Sequence, residues 1–296
     1  MFQNNQISSE AASARSTAAS GQQPGLILRK CPHCASGVHR RIHLERDHWR
    51  VVECADCEFV YLVEAPPVTE FAAELSWDKA VVEERSRRRT DQPLLQWLDD
   101  KTRWRLHLFE RPETSRFLSE LAKPGQILDL GCGNGKAGLA LDDHFTPFGI
   151  EISPTLADAA NKAFIKRGGR CVAADTLSGL REFPDAYFSG AMLNSYLEHD
   201  PNPLPVLRGL APKMKAGSPV IIKVPNYGSW NAKVMGRNWC GIRLPDHVNY
   251  FTRTSLKAMA GSAGYTVQEP GGVNLPTNDN MWMFLYPITG RSGAEQ

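Results

Sequence analysis

Ile127-Leu128-Asp129-Leu130-Gly131-Cys132-Gly133-Asn134-Gly135 decides how the rest of the chain is read. An apolar run, broken only by Asp129, leads into three glycines at alternate positions, and a helix-forming run from about Lys136 to Asp143 follows. Glycine at such a turn lets the backbone bend sharply and approach a ligand that a side chain would keep away. Twenty residues after Gly131, Glu151 closes the next short apolar run, Phe148-Gly149-Ile150. A carboxylate at that point can accept hydrogen bonds from both hydroxyls of a ribose. A nicotinamide-dinucleotide loop would need glycine at 136, where this chain has Lys136, and there is no GxxxxGK[ST] phosphate loop.

Outward from this turn the chain alternates between strand and helix patterns. The spacing predicts a helix over Pro154–Arg167, strands over Cys171–Ala174 and Tyr187–Leu193, a helix over Leu204–Met214 and a strand over Pro219–Val224. A long irregular stretch follows, Pro225–Thr252, and then a helix over Thr254–Ala263 that Gly264 ends. Tyr265–Glu269 and Met281–Tyr286 read as a closing hairpin. Such alternation implies a mostly parallel sheet with helices on both faces. Upstream, residues 66–122 read as a helical connector, in which helix 94–108 with Trp97, Trp104 and His107 is expected to cover the ligand side of the glycine turn. Residues 1–25 are a polar tail with little to bury, expected to be disordered.

Seven cysteines stand at 31, 34, 54, 57, 132, 171 and 240. Four form Cys31-Pro32-His33-Cys34 and Cys54-Ala55-Asp56-Cys57, with 19 residues between the pairs. That spacing fits a zinc ribbon over residues 26–65. Two knuckles supply four thiolates to one tetrahedral ion, so the expected Zn2+ is structural, with no open position.

The pattern DxGxGxG from Asp129 to Gly135 resembles motif I of the class I S-adenosylmethionine-dependent methyltransferases. The resemblance implies a Rossmann-like, seven-stranded α/β sheet over residues 123–290, with an antiparallel last strand. It also implies S-adenosyl-L-methionine as cofactor, held by Asp129, Gly131, Cys132, Gly133, Gly135, Glu151 and Ile152. Asp175, in Ala173-Ala174-Asp175-Thr176, matches the acid that contacts the adenine amino group, with Thr176 and Leu193 beside it. Leu193-Asn194-Ser195-Tyr196-Leu197-Glu198-His199 looks like the family's Leu-Glu-His exit from the fourth strand. His199 and His247 are the candidate bases, the latter in a His-x-x-x-Phe-Thr segment that resembles small-molecule members of the superfamily. Tyr196, Tyr227, Trp230, Trp239 and Tyr250 are the expected walls of an acceptor site.

Composition narrows the acceptor. The 296 residues carry 34 Lys+Arg against 32 Asp+Glu, a formal charge of +2, and neither half of the chain has a marked basic excess. Nucleic-acid binding relies on such an excess, so a small-molecule acceptor, free or carrier-bound, is expected in preference to RNA gripped through the ribbon. A non-catalytic docking module that retains the cofactor fold is the other alternative. Mean hydropathy is −0.34, and no apolar run approaches the roughly 20 residues of a membrane span. Paired, odd-numbered cysteines point to a reducing, cytoplasmic setting.

Overall fold

The computed structural model describes residues 26–65 and 113–288. The predicted tail and most of the connector, with helix 94–108, lie outside the described residues. After a short helix α1 (Thr114–Leu121), the chain builds a seven-stranded sheet. Its strands are β6 (Gly125–Leu130), β7 (Phe145–Glu151), β8 (Arg170–Ala173), β9 (Gly190–Asn194), β10 (Val220–Pro225), β12 (Tyr265–Gln268) and β13 (Asn280–Pro287), in the order β12-β13-β10-β9-β6-β7-β8. The five strands from β8 to β10 are parallel, and β13 is antiparallel to both its neighbours. Ile127, Leu128, Leu130, Ala191, Met192, Leu193 and Val220–Ile222 are fully buried. Such continuous apolar runs belong to strands covered on both faces. Helices α2 (Lys136–Leu139), α3 (Pro154–Phe164), α4 (Thr176–Arg181), α5 (Pro203–Leu210), α6 (Trp230–Met235) and α7 (Arg253–Ser262) complete the described helices.

Helix α2 is one turn, shorter than its sequence pattern. Arg167 captures the chain as it leaves, donating to the carbonyls of Leu141 (2.8 Å) and Phe145 (3.0 Å) and so holding the turn that leads into β7. The stretch 225–252, read as irregular, contains α6 and a two-residue strand, β11 (Asn249–Tyr250).

That strand matters to the N-terminal part of the chain. Strands β2 (His39–Arg46), β3 (Trp49–Cys54) and β4 (Val60–Leu62) form an antiparallel meander, and β11 is its fourth strand, pairing Asn249 with Tyr61 and Tyr250 with Val60. A smaller ladder joins β1 (Ile27–Leu28) to β5 (Glu64–Ala65). Cys31, Cys54, Phe59, Tyr61 and Val63 share one apolar cluster with Leu197, Phe251 and the core of the large sheet. Phe59, fully buried, meets the ring of Phe251 edge-on at 5.3 Å. Truncating a buried phenylalanine costs about 3–5 kcal/mol, and Phe59→Ala is expected to lose that much in denaturant unfolding. A change below about 1 kcal/mol would show that the two sheets do not share a core.

Candidate active site

The glycine turn lies at the C-terminal edge of the parallel strands, where ligands of open α/β sheets sit. Gly131 (φ +67°) receives the ring of Tyr196 so closely that a Cβ would stand 2.5 Å from Cδ2. Gly133 (φ +55°) faces open space instead. Glu151 ends β7 and binds the turn directly: Oε2 accepts the Gly133 N–H and Oε1 the Ser153 N–H, each at 2.9 Å. Each carboxylate oxygen retains acceptor capacity for a ligand hydroxyl. Asp175 caps α4 by accepting the Ser178 N–H at 3.0 Å, and that bond holds its carboxyl below the usual range. Beneath the turn lies Asp129, only 3% exposed, with Oδ2 unpartnered. Burial, with the Glu151 charge adding to it, pushes this carboxyl up to about 8.

A cleft of about 830 Å³ runs from these residues to a second group. The near end is lined by Gly131, Cys132, Gly133, Glu151, Ile152, Asp175 and Thr176; the far end by Ser195, Tyr196, His199, Asp200, Lys223, Asp246 and Trp282. The Tyr196 hydroxyl donates to Asp200 and accepts from Thr176 at 2.6 Å, tying the two ends together. His199 Nδ1 donates to Asp246, 2.9 Å from Oδ1 and 3.0 Å from the backbone oxygen. Burial works against a charge on His199, but Asp246 outweighs it and the imidazole titrates above its ordinary value. Asp246 also pairs with Arg243 at 2.7 Å, and its positive neighbours overcome burial to hold its carboxyl well below the usual range. His247 is buried, and burial, reinforced by His199, pushes it down to about 3; its Nδ1 donates to the Gly241 carbonyl at 2.8 Å. Glu198, His199 and His247 bring ligand atoms within 4.8 Å of one another, donors suited to a divalent cation.

The four cysteines converge as their spacing predicts. Their sulfur atoms lie within 4.8 Å of one another, with Cys31–Cys57 and Cys34–Cys54 at 3.5 Å. Tetrahedral zinc with Zn–S bonds of about 2.3 Å needs sulfurs about 3.8 Å apart. The two knuckles are built alike. The Ala35 and Glu58 N–H groups donate to the carbonyls of Cys31 (2.8 Å) and Cys54 (3.1 Å), and both residues are left-handed. Burial pushes the Cys31 thiol up to about 11, a protonation that metal ligation opposes.

Several sequence-predicted residues stand away from the cleft lining. Gly135, Leu193 and Asp129 lie behind it, and His247 sits behind His199, the rings 4.8 Å apart. The aromatic residues expected to wall the acceptor lie elsewhere, Tyr196 excepted. Tyr227, Trp239 and Tyr250 pack on Val51, Val60 and Leu62 of the N-terminal sheet, and the Tyr227 hydroxyl meets His43 Nδ1 at 3.0 Å. Trp230 is 59% exposed on α6. The reason is β11, which turns this stretch towards the cysteine-bearing sheet. Cleft residues that sequence reasoning missed are Asp200, Lys223, Asp246, Asn280 and Trp282. Lys223, the one charge in Val220-Ile-Ile-Lys-Val-Pro225, carried a readable signal: a cation inside an otherwise apolar strand. Trp282 is its cross-strand partner on β13.

Residues 102–269, more than half of the chain, match the family described as methyltransferase domain, and the chain belongs to that family. Fold and glycine turn make it a class I member. No curated protein matches the sequence. Among solved structures it is similar to the YcgJ protein from Bacillus subtilis, at 13% identity over 60% of this chain and 99% of that one, with a TM-score of 0.47. It is also similar to a SAM-dependent methyltransferase from Archaeoglobus fulgidus, at 18% identity over 58% and 90% of the two chains (TM-score 0.44). A third is a SAM-dependent methyltransferase from Methanosarcina mazei, at 18% over 58% and 97% (TM-score 0.44).

Asp129 supplies a pH test. Between the ordinary carboxylate range and about pH 8 the folded chain keeps a proton that the unfolded chain releases, so stability falls as pH rises through this window. Asp129→Asn removes that slope, and its melting temperature relative to the parent is expected to climb steadily from pH 5 to pH 8. A constant difference would show that Asp129 is ionised throughout.

Proposed function

We propose that this chain is an enzyme that transfers a methyl group from S-adenosylmethionine to a small-molecule acceptor, on oxygen. One observation carries the reading: a single cleft has the Glu151 carboxylate and bare glycine turn at one end and the His199–Asp246 pair at the other. The residues fit the cofactor, since Gly133 leaves open space where a side chain would intrude and Glu151 keeps free acceptor sites. Gly131–Gly133 would hold its methionine end, Glu151 the ribose, and Asp175 with Ile152 and Thr176 the adenine. When bound, the cofactor supplies an electrophilic methyl group on a sulfonium. Positioning does most of the remaining work in such a displacement. Tyr196, fixed by Asp200 and Thr176, holds the two halves of the cleft in register. His199 takes the acceptor's proton, and Asp246 orients the ring and stabilises the charge it gains.

The four-cysteine cluster is read as a structural Zn2+ site, because a shell of four thiolates leaves no position for water or substrate. About one zinc per chain is expected, lost in a Cys31→Ser, Cys34→Ser double variant.

Calorimetry with S-adenosylmethionine tests the first half of the proposal: Glu151→Ala is expected to weaken binding by at least about tenfold, since two ribose hydroxyl bonds are lost. Unchanged affinity would overturn the ribose assignment. Transfer of labelled methyl to a panel of hydroxylated small molecules tests the second half. Label that enters only RNA, or tight cofactor binding with no transfer, would overturn it. Because His199 must be neutral to accept a proton, kcat/KM is expected to rise with pH through a midpoint above 6.5, and His199→Gln to flatten that rise.

A further inference from the structure

The segment that carries the far end of the cleft, residues 195–202, has no regular structure apart from its own turns. Its carbonyls are satisfied from outside. The Val248 and Asn249 N–H groups donate to the Glu198 carbonyl (2.8 and 3.1 Å), and Asn249 Nδ2 donates to the carbonyls of Leu197 (2.7 Å) and Asp200 (2.6 Å). Behind Asn249 stands Arg29, two residues before the first cysteine. Its Nη2 donates to Asn249 Oδ1 (2.8 Å) and to the Pro201 carbonyl (2.9 Å). Its Nη1 donates to the carbonyls of Val248 (2.8 Å) and Leu62 (3.1 Å). The guanidinium lies over the Tyr61 ring at 5.8 Å, and the Arg29 N–H is itself held by the Val63 carbonyl at 2.8 Å. One rigid fork thus joins strand β4 of the cysteine-bearing sheet to the two segments that carry His199 and Asp246.

We propose that Arg29 is a positioning residue, through which the four-cysteine module sets the acceptor side of the cleft. Lysine presents a compact ammonium on a flexible stem and does not reproduce the planar fork. Without the guanidinium the Val248 carbonyl keeps the Leu62 N–H at 3.0 Å, but the Pro201 carbonyl loses its charged donor, a cost that segment 195–202 relieves by moving to reach water. The cofactor end touches this segment through Tyr196, by its hydroxyl on Thr176 and its ring over Gly131, whereas Gly133, Glu151 and Ser153 bind one another within the large sheet. Disturbance at Arg29 therefore falls chiefly on one half of the cleft.

Amide hydrogen exchange on the full-length, zinc-loaded chain tests this without reliance on turnover. In Arg29→Met and in Arg29→Lys, exchange across 196–202 is expected to quicken by at least about tenfold, with 128–135 and 151–153 unchanged. Affinity for S-adenosylmethionine should stay within about threefold of the parent, and Arg29→Lys should not rescue. Stripping zinc with a chelator should give the same exchange pattern, because the metal holds the sheet that holds Arg29. Should Arg29→Met fail to fold, Asn249→Ser decides on the same readout. Parent-like exchange at 196–202, or quickening spread evenly over the whole chain, would overturn the proposal.

The kinetic arm rests on the methyl-transfer reading. Given an acceptor, kcat should fall by at least about tenfold while the cofactor KM holds. A chain that transfers no methyl group at all would fail the functional reading and leave the exchange result standing.

Discussion

The Glu151 carboxylate sits between two backbone N–H groups, those of Gly133 and Ser153, and the cleft takes its shape from that arrangement. The carboxylate fixes the turn after β6 against the turn after β7. The Gly131 N–H also donates to the Ile150 carbonyl at 2.9 Å, and a carboxylate accepting N–H groups is a stronger tie than such a neutral bond. Because both oxygens are engaged on the backbone side, the remaining acceptor directions are fixed before any ligand arrives. Pre-set polar groups of this kind save the ordering cost that a flexible site would incur on binding. Beside it, Asp129 is kept largely neutral at physiological pH by burial and by the Glu151 charge, so the pair does not carry two full charges under the turn.

At the opposite end the organisation differs. His199, Asp246 and Asp200 are charged or polar groups on irregular backbone, and such backbone needs donors from elsewhere. The donors come from Arg29 and from the segment around β11, so the cysteine-bearing sheet and the seven-stranded sheet meet at this end of the cleft and share apolar side chains as well as hydrogen bonds. The aromatic residues between 227 and 250 serve this junction. Tyr227, Trp239 and Tyr250 stack near one another and on the small sheet, where their area is buried.

Much of this was legible in the chain. The strands around Leu128, Met192 and Ile221 stood out as apolar runs, interrupted only by Asp129 and Lys223, and Gly131–Gly135 with Glu151 marked the turn by spacing alone. The cysteine knuckles were legible for the same reason, since ligand geometry dictates a fixed local spacing. What stayed hidden depended on contacts remote in sequence. Nothing local to Asn249-Tyr250 signals that it will pair with Val60-Tyr61, because a two-residue strand has no periodicity to read. The aromatic stretch therefore read as a wall for an acceptor. Asp246 was invisible for a similar reason: its role comes from His199, 47 positions earlier, and from Arg243 on the same turn.

Strand β11 also governs the order in which the molecule can be completed. Val60, Tyr61 and Leu62 leave the ribosome with the rest of the small sheet, yet their ladder partner is nearly 190 positions downstream. At translation speeds of about 5–20 residues per second, that apolar edge waits roughly 10 to 40 seconds for its neighbour. An unpaired apolar edge is a template for association with other chains. Nascent or prematurely terminated products that stop short of residue 249 would thus leave the β4 edge open to pairing with another chain.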